Sequence, residues 1–559
     1  MSCQALADLA ARYWEFQREE SPITAIMAGQ PPEHDLLLRE APADHERRAA
    51  WAGSALQELS AIDATPLSLD DLATYALLRR EFELLIEAVG SGAHLRPPLY
   101  PLGPDFGLQY WAGATALATA ADARKYLARL RTIPAALGGI RETLTAGREH
   151  GYRYPALVIR RAVEQSRGAL AVPPEEHAFA APLTRLATRS PTLAALADEG
   201  LALIGDTLIP ALSEYADFLE RELAPVARAS LACLDDRDGE AYYRFWIRTS
   251  TTLAMGPEEI HEIGLAEVER IEAEMIALAE GDLPGFVERL RGDNRQFAES
   301  GEALREQIEI LSKRIDAQIP EFFGRVPRTT YGVRSIPEAI AEKMPPAYAQ
   351  PNPADGSAAG VHWVTSIPGK CPRYMHIPLA LHEAWPGHLM HLALIQEMEH
   401  LPAFRRYGAL RYSACLEGWA LYSERLGEDM GLYDTPDKLY GRLEMEMWRA
   451  VRLVVDTGIH AHGWSREQAI AYFGRYMAMP LVTVEAEVDR YIAWPGQALA
   501  YQLGNLKFRD LRARAEQVLG DEFRIRDFHD ALMAAGPVTL SVLDELMQSW
   551  TEGQQRKAA

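Results

Sequence analysis

Apolar residues recur at spacings of three and four along most of the chain, and charged residues occupy the positions between them. Such spacing places the apolar side chains on one face of an α-helix, so it predicts amphipathic helices that pack on a shared core. Pro and Gly residues separate these segments and mark the expected helix ends. The clearest helical patterns cover residues 1–20, 72–89, 122–150, 155–171 and 256–280.

The helical pattern continues over most of the 559 residues, which predicts a mainly α fold. A chain of this length exceeds one ordinary core and indicates two or three sub-domains. We interpret residues 1–240 as a helical scaffold that forms one wall of a deep cleft. Residues 241–559 form the second part, and the motifs that carry chemistry lie there.

The pattern changes between residues 331 and 378, where Pro and Gly become frequent and mainly loop is expected. Within this stretch, residues 360–366 (GVHWVTS) have the β-branched and aromatic content of a strand, which predicts a small β-sheet next to the following helix. The strand could pair with an extended substrate backbone, or it could belong to a hairpin that only covers the core. His362 lies in this strand and is a candidate for contact with the substrate or with the site described next.

Residues 381–396 (LHEAWPGHLMHLALIQ) concentrate ionisable groups in an apolar segment. His382, His388, His391 and Glu383 lie close together there. Burying these groups without partners would be costly, and a zinc ion removes that cost because imidazole nitrogen and carboxylate oxygen are good zinc ligands. Glu383 follows the first histidine, as the general base does in the H-E-x-x-H motif.

The spacing differs from that motif, because His382 and His388 are six residues apart. At 100° per residue, an unbroken helix would separate the two side chains by about 240° around its axis. Pro386 and Gly387 offer a remedy, since proline removes a helical hydrogen bond and glycine accepts unusual dihedral angles. We expect the helix to bulge at this pair and to return both histidines to one face.

Two carboxylates in residues 415–424 (CLEGWALYSE) are candidates for a third ligand. Glu417 and Glu424 are seven residues apart, within about 20° of two full helical turns, so they share a face. The rest of the segment is largely apolar, and buried carboxylates need a cation or hydrogen bonds. We assign Glu417 as the third ligand and Glu424 as a supporting group, with the reverse order open. In the alternative, both glutamates form ion pairs with Arg411 and Arg425.

A polar stripe runs along the otherwise apolar residues 447–462 (MWRAVRLVVDTGIHAH). Its members, which fall within about 80° of arc on one helical face, are Arg449, Arg452, Asp456 and His460. Such a stripe suits a buried network that lines a cleft. Asp456 could accept a hydrogen bond from a ligand histidine, and His460 could donate one to a developing oxyanion. A salt-bridge network without a catalytic role explains the stripe equally well.

A second group of polar residues lies in residues 490–501 (RYIAWPGQALAY), where a proline and a glycine can start a new helix. A tyrosine hydroxyl near zinc would stabilise the oxyanion of a tetrahedral intermediate. Tyr501 is the first candidate for this role and Tyr491 the second, and core packing explains either tyrosine as well. Arg490 could bind a substrate carboxylate.

Composition and charge exclude several classes of partner. The formal net charge of −22 argues against nucleic-acid binding, which requires a surplus of Lys and Arg, and it disfavours anionic membranes. The sequence contains no run of 18 apolar residues, and residues 1–20 resemble an amphipathic helix rather than a signal peptide. The four scattered cysteines form no paired motif, so we expect a reducing compartment, the cytoplasm.

The motifs HEAWPGH, EGWALYSE and PGQALAY resemble those of the domain of unknown function 885 family. That family is grouped with the zincin metallopeptidases of the gluzincin type, so the resemblance implies a large helical, zincin-like fold. It also implies that His382 and His388 bind zinc, that Glu383 is the general base and that Glu417 completes the site. One position departs from the family pattern, because His391 stands where glutamine is usual. His391 is therefore either a supporting group or an alternative ligand.

Together these observations predict a hydrolase with one Zn²⁺ per chain that cleaves a peptide or peptide-like amide bond with an activated water molecule. A cleft between helical walls would favour short substrates. Glu383 would remove the proton, and Tyr501 or His460 would hold the oxyanion. Two alternatives stay open: a zinc hydrolase of a non-peptide amide in specialised metabolism, and a catalytically inactive binding or scaffold protein with the same fold.

Overall fold

The computed structural model describes residues 2–342, 344–354, 356, 358–478 and 481–558. Most of these residues are helical and the named strands form one small sheet, so the predicted mainly α fold is confirmed. Among the helices of the described residues, none has the length and apolar character that crossing a bilayer demands.

The α-helices are numbered in chain order. Up to residue 230 they are α1 (Ser2–Glu20), α2 (Pro22–Met27), α3 (Pro42–Ser60), α4 (Leu69–Gly90), α5 (Pro104–Ala114), α6 (Ala120–Leu130), α7 (Ile133–His150), α8 (Ala156–Leu170), α9 (Ala181–Arg189), α10 (Ala194–Leu203) and α11 (Ile209–Phe218). From there to residue 342 they are α12 (Gly239–Thr251), α13 (Pro257–Leu278), α14 (Leu283–Gly292), α15 (Gly301–Asp316), α16 (Ile319–Phe322) and α17 (Glu338–Ala341). The remaining helices are α18 (His376–Glu383), α19 (His388–Glu397), α20 (Ala403–Tyr407), α21 (Ser413–Asp429), α22 (Pro436–His460), α23 (Arg466–Tyr476), α24 (Leu481–Ala493), α25 (Ala500–Leu519), α26 (Ile525–Ala534) and α27 (Leu540–Ala558).

Four of the five predicted helical segments correspond to single helices, α1, α4, α8 and α13, whose ends differ from the prediction by a few residues. The segment 122–150 is instead divided into α6 and α7. Pro134 explains the division, because it lies in the first turn of α7, where its missing amide hydrogen costs no helical hydrogen bond. The apolar spacing continues across this break, so periodicity by itself predicts one helix there instead of two.

The sheet consists of β1 (Tyr331–Ser335), β2 (Ala347–Gln350) and β3 (Gly360–Val364), in the order β1-β3-β2. The predicted strand is confirmed as β3, and two further strands lie in the stretch expected to be mainly loop. β3 pairs with β1 in parallel and with β2 in antiparallel register, so both of its edges are occupied. The proposal that this strand pairs with a substrate backbone is therefore wrong, because its hydrogen-bonding groups are already used.

The apolar cores extend across the predicted boundary at residue 240. One core contains Leu137 of α7 together with Val451 of α22, and another contains Tyr13 of α1 together with Trp419 of α21. The two parts of the chain therefore share their cores. A division into a scaffold and a catalytic half stays a prediction about roles rather than about separate cores.

Helix α22 lies at the centre of the molecule, and its residues from Tyr440 to His460 are all buried. It packs along α13, where Gly264 allows close approach: a Cβ atom at Gly264 would lie 2.8 Å from the Leu453 side chain. A helix that is buried on every side must satisfy its polar side chains internally. The polar stripe of α22 therefore contacts several different elements along its length.

Candidate metal centre

The helical break predicted at Pro386 and Gly387 is present. Helix α18 ends at Glu383 and α19 begins at His388, with ψ values of −126° at Ala384 and −135° at Gly387. A Cβ atom at Gly387 would lie 2.0 Å from the carbonyl oxygen of His382, so only glycine fits this turn. The indole N–H of Trp419 also holds this turn, because it donates to the Pro386 carbonyl oxygen at 2.9 Å.

The break brings two histidines and one glutamate together. The rings of His382 and His388 are perpendicular, with centroids 4.8 Å apart. Their Nε2 atoms lie 3.5 and 3.3 Å from the same oxygen, Oε2 of Glu417 on α21. One ligand atom from each of the three side chains lies within 4.8 Å of the others, as a shared metal ion requires.

The Glu417 carboxylate fits a cation better than it fits the rest of the protein. Its Oε2 atom is buried and, among the described residues, has no hydrogen-bond partner. Burial raises the pKa of Glu417, but His388 and His382 outweigh it and hold the pKa well below its usual range. A buried anionic oxygen between two imidazole nitrogens matches the donor set that zinc prefers.

Glu424 lies on the other side of His382. Its Oε1 atom is 2.8 Å from Nδ1 of His382, which directs Nε2 of the same ring towards Glu417. A carboxylate behind a ligand histidine fixes its tautomer and orientation. Burial lowers the pKa of His382, but the Glu417, Glu424 and Glu383 carboxylates outweigh it and raise the pKa to about 9. The geometry thus favours the predicted order, with Glu417 at the ligand position and Glu424 behind it.

In the alternative, the two glutamates would form ion pairs with arginines that include Arg411, but the contacts of Arg411 lie elsewhere. Arg411 donates instead to Glu81 of α4 at 2.8 Å and to the Tyr13 hydroxyl at 2.9 Å. The cation near Glu424 is Arg449, with Nη2 at 3.7 Å from Oε1. This arginine belongs to the polar stripe of α22.

Two further groups near the cluster, Glu383 and His391, have different surroundings. Glu383 is half-buried at the end of α18, and its charge contributes to raising the pKa of His382. His391 is buried one turn after His388, and burial followed by the effect of His388 lowers its pKa to about 3. Within the described residues, the ligand cluster does not include His391, so the structure favours a supporting place for it over a ligand position.

His362 faces the helices of the cluster. Alternate residues of a strand share a face, and a Cβ atom at Gly360 would lie 3.0 Å from the Leu389 side chain of α19. His362 therefore points to the side on which α18 and α19 lie. It is 1% exposed, and within the described part of the chain neither ring nitrogen has a hydrogen-bond partner. Burial and then His382 lower its pKa to about 4.

Tyr501 approaches the cluster from α25. Helices α21 and α25 cross where Gly418 meets Gly504: a Cβ atom at Gly418 would lie 2.5 Å from the Gly504 backbone. This crossing places Tyr501 beside Glu417, and burial followed by the Glu417 carboxylate raises the pKa of Tyr501. Tyr501 remains the better candidate for the oxyanion role than Tyr491.

Tyr491 and Arg490 are engaged in a separate network. The Tyr491 hydroxyl donates to Glu487 at 2.6 Å and accepts from Arg452 at 2.9 Å. Arg490 donates to Glu487 at 3.0 Å and to Gln497 at 2.6 Å. The predicted roles of Tyr491 as oxyanion donor and of Arg490 as carboxylate ligand therefore compete with contacts already made inside the protein.

Two predictions for the C-terminal part of the stripe are wrong. The Asp456 carboxylate accepts from the Tyr243 hydroxyl at 2.6 Å and from the Gly496 amide at 3.1 Å, and the role expected for it beside a ligand histidine is taken by Glu424. His460 is fully buried and its Nε2 atom lies 2.9 Å from the Tyr491 carbonyl oxygen, so it is not placed to hold a substrate oxyanion. Both side chains join α22 to neighbouring elements.

Comparison with known proteins places the chain in a family. The family described as "Bacterial protein of unknown function (DUF885)" matches residues 22–547. This chain belongs to that family. The family resemblance predicted from the motifs is therefore confirmed, while its relation to the zincin metallopeptidases stays a prediction. Among curated proteins, none matches the chain.

Two solved structures share the fold of this DUF885 chain. A protein from Colwellia psychrerythraea, named as a candidate lipoprotein, is 26% identical with a TM-score of 0.92, over 99% of this chain and 100% of that one. A protein from Shewanella oneidensis, named as a candidate lipoprotein of unknown function, is 19% identical with a TM-score of 0.71, over 97% and 99% of the two chains. The second likeness shows the fold alone.

Sequence reasoning missed two features of the site in this family member. Glu487 anchors both Arg452 and Arg490, and its position three residues before Arg490 on α24 was a visible signal for that pair. The glycine contact between α21 and α25 joins residues far apart in the chain. A glycine in a helical pattern has a packing reason, but the sequence does not identify its partner.

Proposed function

We propose that this chain is a metal-dependent hydrolase that holds one Zn²⁺ with His382, His388 and Glu417. The observation that carries the proposal is the convergence of one atom from each side chain within 4.8 Å. Two imidazoles and one carboxylate form a ligand set that leaves a coordination position open. When bound, zinc would polarise a carbonyl oxygen and lower the pKa of a water molecule. The zincin-like relationship indicated by the motifs agrees with this ligand set.

The protein's own groups supply the remaining chemistry. Glu383 adjoins the first ligand in sequence and is half-buried, so its carboxylate can take the proton of the attacking water. Tyr501 stands beside Glu417 on the α25 side and can donate its hydroxyl hydrogen to the developing oxyanion. Glu424 keeps the Nδ1 atom of His382 protonated and its Nε2 atom free.

The substrate class that we propose is a peptide or a peptide-like amide of small size. The side chains of His388 and Glu417 are 13% and 21% exposed, so a small molecule can approach them. Around them His382, Glu424 and His391 are buried and Glu383 is half-buried, which disfavours a folded protein as substrate. A cleft between the N-terminal helices and the α18–α25 part of the chain would give this access.

Location is a separate question on which two observations differ. The scattered cysteines led to the expectation of a reducing compartment, the cytoplasm. The protein from Colwellia psychrerythraea is named as a candidate lipoprotein, which favours the cell envelope. Cell fractionation of the native host separates the two: recovery in the soluble cytoplasmic fraction supports the first, and recovery with the envelope supports the second.

The proposal is tested by measuring the metal content of the purified full-length chain. The unaltered protein is expected to hold about one zinc per chain, and His388→Ala and Glu417→Ala are expected to lose it. His391→Ala is the matched control, because His391 is a neighbouring buried histidine outside the cluster. A protein that neither contains zinc nor takes it up would leave a binding or scaffold role.

Turnover is then measured on a panel of dipeptides, N-acyl amino acids and lactams. Hydrolysis of the peptides supports the peptidase assignment, whereas hydrolysis of the lactams alone would assign a non-peptide amide substrate. Glu383→Gln is expected to keep zinc and lose turnover, because an amide cannot accept the proton. Unchanged turnover in Glu383→Gln would show that the proposed mechanism is wrong even with zinc present.

A further inference from the structure

Two arginines on α22 are buried, and within the described residues each has a donor nitrogen without a hydrogen-bond partner. Arg449 and Arg452 are each 5% exposed. Within the described residues, Nε of Arg449 and Nη1 of Arg452 have no hydrogen-bond partner. Arg449 donates only to atoms of Met445, at 3.2 Å to its carbonyl oxygen, among the contacts of the described chain. Burying a charged donor without an acceptor is costly, so such a pair is retained where it has an external partner.

Arg449 lies directly behind the metal centre. Its Nη2 atom is 3.7 Å from Oε1 of Glu424, and this same oxygen is 2.8 Å from Nδ1 of His382. The Glu424 carboxylate therefore lies between the Arg449 guanidinium and the His382 ring. The distance of 3.7 Å is too long for a strong hydrogen bond, so Glu424 satisfies the histidine first and leaves Arg449 weakly paired.

Arg452 lies one helical turn further along and faces the same side. Its guanidinium carbon is 4.4 Å from the centre of the Tyr501 ring. Tyr501 stands on α25 close to the crossing with α21 at Gly418, the residue that follows Glu417. Tyr501 is only half-buried, so the donors of Arg452 lie behind a side chain that a substrate can reach.

The charges of this arginine group do not balance. Three guanidinium groups, those of Arg449, Arg452 and Arg490, lie close to two carboxylates; Arg449 and Arg452 are buried, whereas Arg490 and Glu487 are half-buried. Glu487 contacts Arg452 and Arg490 at 2.9 and 3.0 Å, and Glu424 lies near Arg449. One positive charge is left over, and the three-ligand zinc site would add a further positive charge nearby. An anion entering between them would be stabilised by both.

From this arrangement we infer that Arg449 and Arg452 bind a carboxylate of the substrate beside the scissile amide, so that the enzyme acts on peptides or N-acyl amino acids that carry such a group. The inference rests on the proposed function and specifies its substrate. Arginine suits the task because each guanidinium can donate a charge-assisted hydrogen bond to an oxygen of one carboxylate. Within the described residues, the donors without a partner are Nε of Arg449 and Nη1 of Arg452, one on each arginine, whereas Arg490 donates to Glu487 and Gln497.

The test measures binding rather than turnover, by calorimetry on the zinc-loaded full-length Glu383→Gln protein. Three probes are compared: N-acetyl-dialanine, its C-terminal amide, and an amide of equal length with a glutamate side chain at its last position. The acid is expected to bind roughly tenfold or more tighter than the plain amide, because it alone presents a charge to the guanidinium pair. Tight binding of the third probe would assign a side-chain carboxylate as the source of the same charge.

Variants then test which side chains cause the preference for the acid over the amide. Arg452→Met and Arg449→Met are expected to reduce the acid-to-amide ratio towards one, and Arg452→Lys to restore part of it. Arg466→Met is the matched control, since Arg466 pairs with Asp489 on α24 and lies outside the group. If a methionine variant does not fold, the acid and amide probes on the parent protein still decide.

Equal binding of acid and amide, or no binding of the acid at millimolar concentration, would overturn the inference. This outcome differs from failure of the proposed function, which is read from zinc content. A chain that holds zinc but ignores the carboxylate refutes the inference alone. A chain without zinc that still prefers the acid keeps the anion site and refutes the hydrolase.

Discussion

Glu424 offers the sharpest test of the metal centre, because its role can be separated from that of a ligand. Its carboxylate accepts from Nδ1 of His382 at 2.8 Å, in a position where only 2% of the side chain is exposed. Loss of such a partner typically lowers metal affinity by about 10- to 100-fold, which is roughly 1.4 to 2.8 kcal/mol. The expected loss depends on what replaces the carboxylate.

Glu424→Gln keeps an oxygen that can accept the hydrogen bond but removes its charge, so we expect a loss of zinc affinity near tenfold. Glu424→Ala removes the acceptor as well and leaves a buried imidazole N–H unpaired, so we expect a loss near 100-fold. Glu417→Ala removes a ligand and should abolish stoichiometric binding. The predicted order of zinc affinities is therefore parent, Glu424→Gln, Glu424→Ala, Glu417→Ala.

The assay is a competition titration of zinc against a chromophoric chelator of known affinity, on each full-length variant. Glu428→Gln is the matched control, because Glu428 lies one turn further along α21 and pairs with Arg442 at 2.7 Å. It should keep the parent affinity. If Glu424→Ala binds zinc within twofold of the parent, or more tightly than Glu424→Gln, the carboxylate does not orient His382 and our reasoning about the site is wrong.

Three further predictions concern other parts of the structure. Gly387→Ala should lose zinc, because its Cβ atom would lie 2.0 Å from the His382 carbonyl oxygen; a variant with a full zinc complement contradicts this. Tyr501→Phe should keep zinc and lower kcat by roughly 10²- to 10³-fold on any substrate that is found, and an equal kcat would remove Tyr501 from the oxyanion role. Burial raises the pKa of Asp456 to about 7, although the hydrogen bonds from Tyr243 and Gly496 oppose it. An unfolded aspartate titrates near 3.9, so the folded state loses stability as pH rises from about 4 to about 7, and Asp456→Asn should remove that part of the profile. Urea unfolding at about pH 8 should show a gain of at most roughly 4 kcal/mol in the free energy of unfolding, and an unchanged profile would contradict the buried, protonated carboxyl.

The helices and the candidate ligand residues could be predicted from the sequence because both depend on local spacing. The helical period predicted that Glu417 and Glu424 share one face of a single helix, because seven residues are close to two turns of any helix. The break before His388 was also local, since proline and glycine act on their own backbone. Such features require no knowledge of which elements pack together.

The choice between Glu417 and Glu424 was not local. Both residues share one face of α21, and the same ring of His382 touches both, through Nε2 and through Nδ1. Which nitrogen meets which carboxylate depends on how α18 is rotated against α21. That rotation is set by close packing, for example at Gly427, where a Cβ atom would lie 2.9 Å from the Leu381 side chain. No pattern within either helix records it.

Only one end of the polar stripe of α22 lies near the candidate metal centre, and the reason is one of scale. From Arg449 to His460 the helix advances eleven residues, or about 16 Å, whereas the ligand atoms of the metal centre lie within 4.8 Å of one another. One end of the stripe can reach the centre, and the other end must meet something else. Arg449 meets Glu424, while Asp456 and His460 meet the Tyr243 hydroxyl and the Tyr491 backbone. A shared helical face predicts a shared direction, and only the length of the stripe shows that its members serve different neighbours.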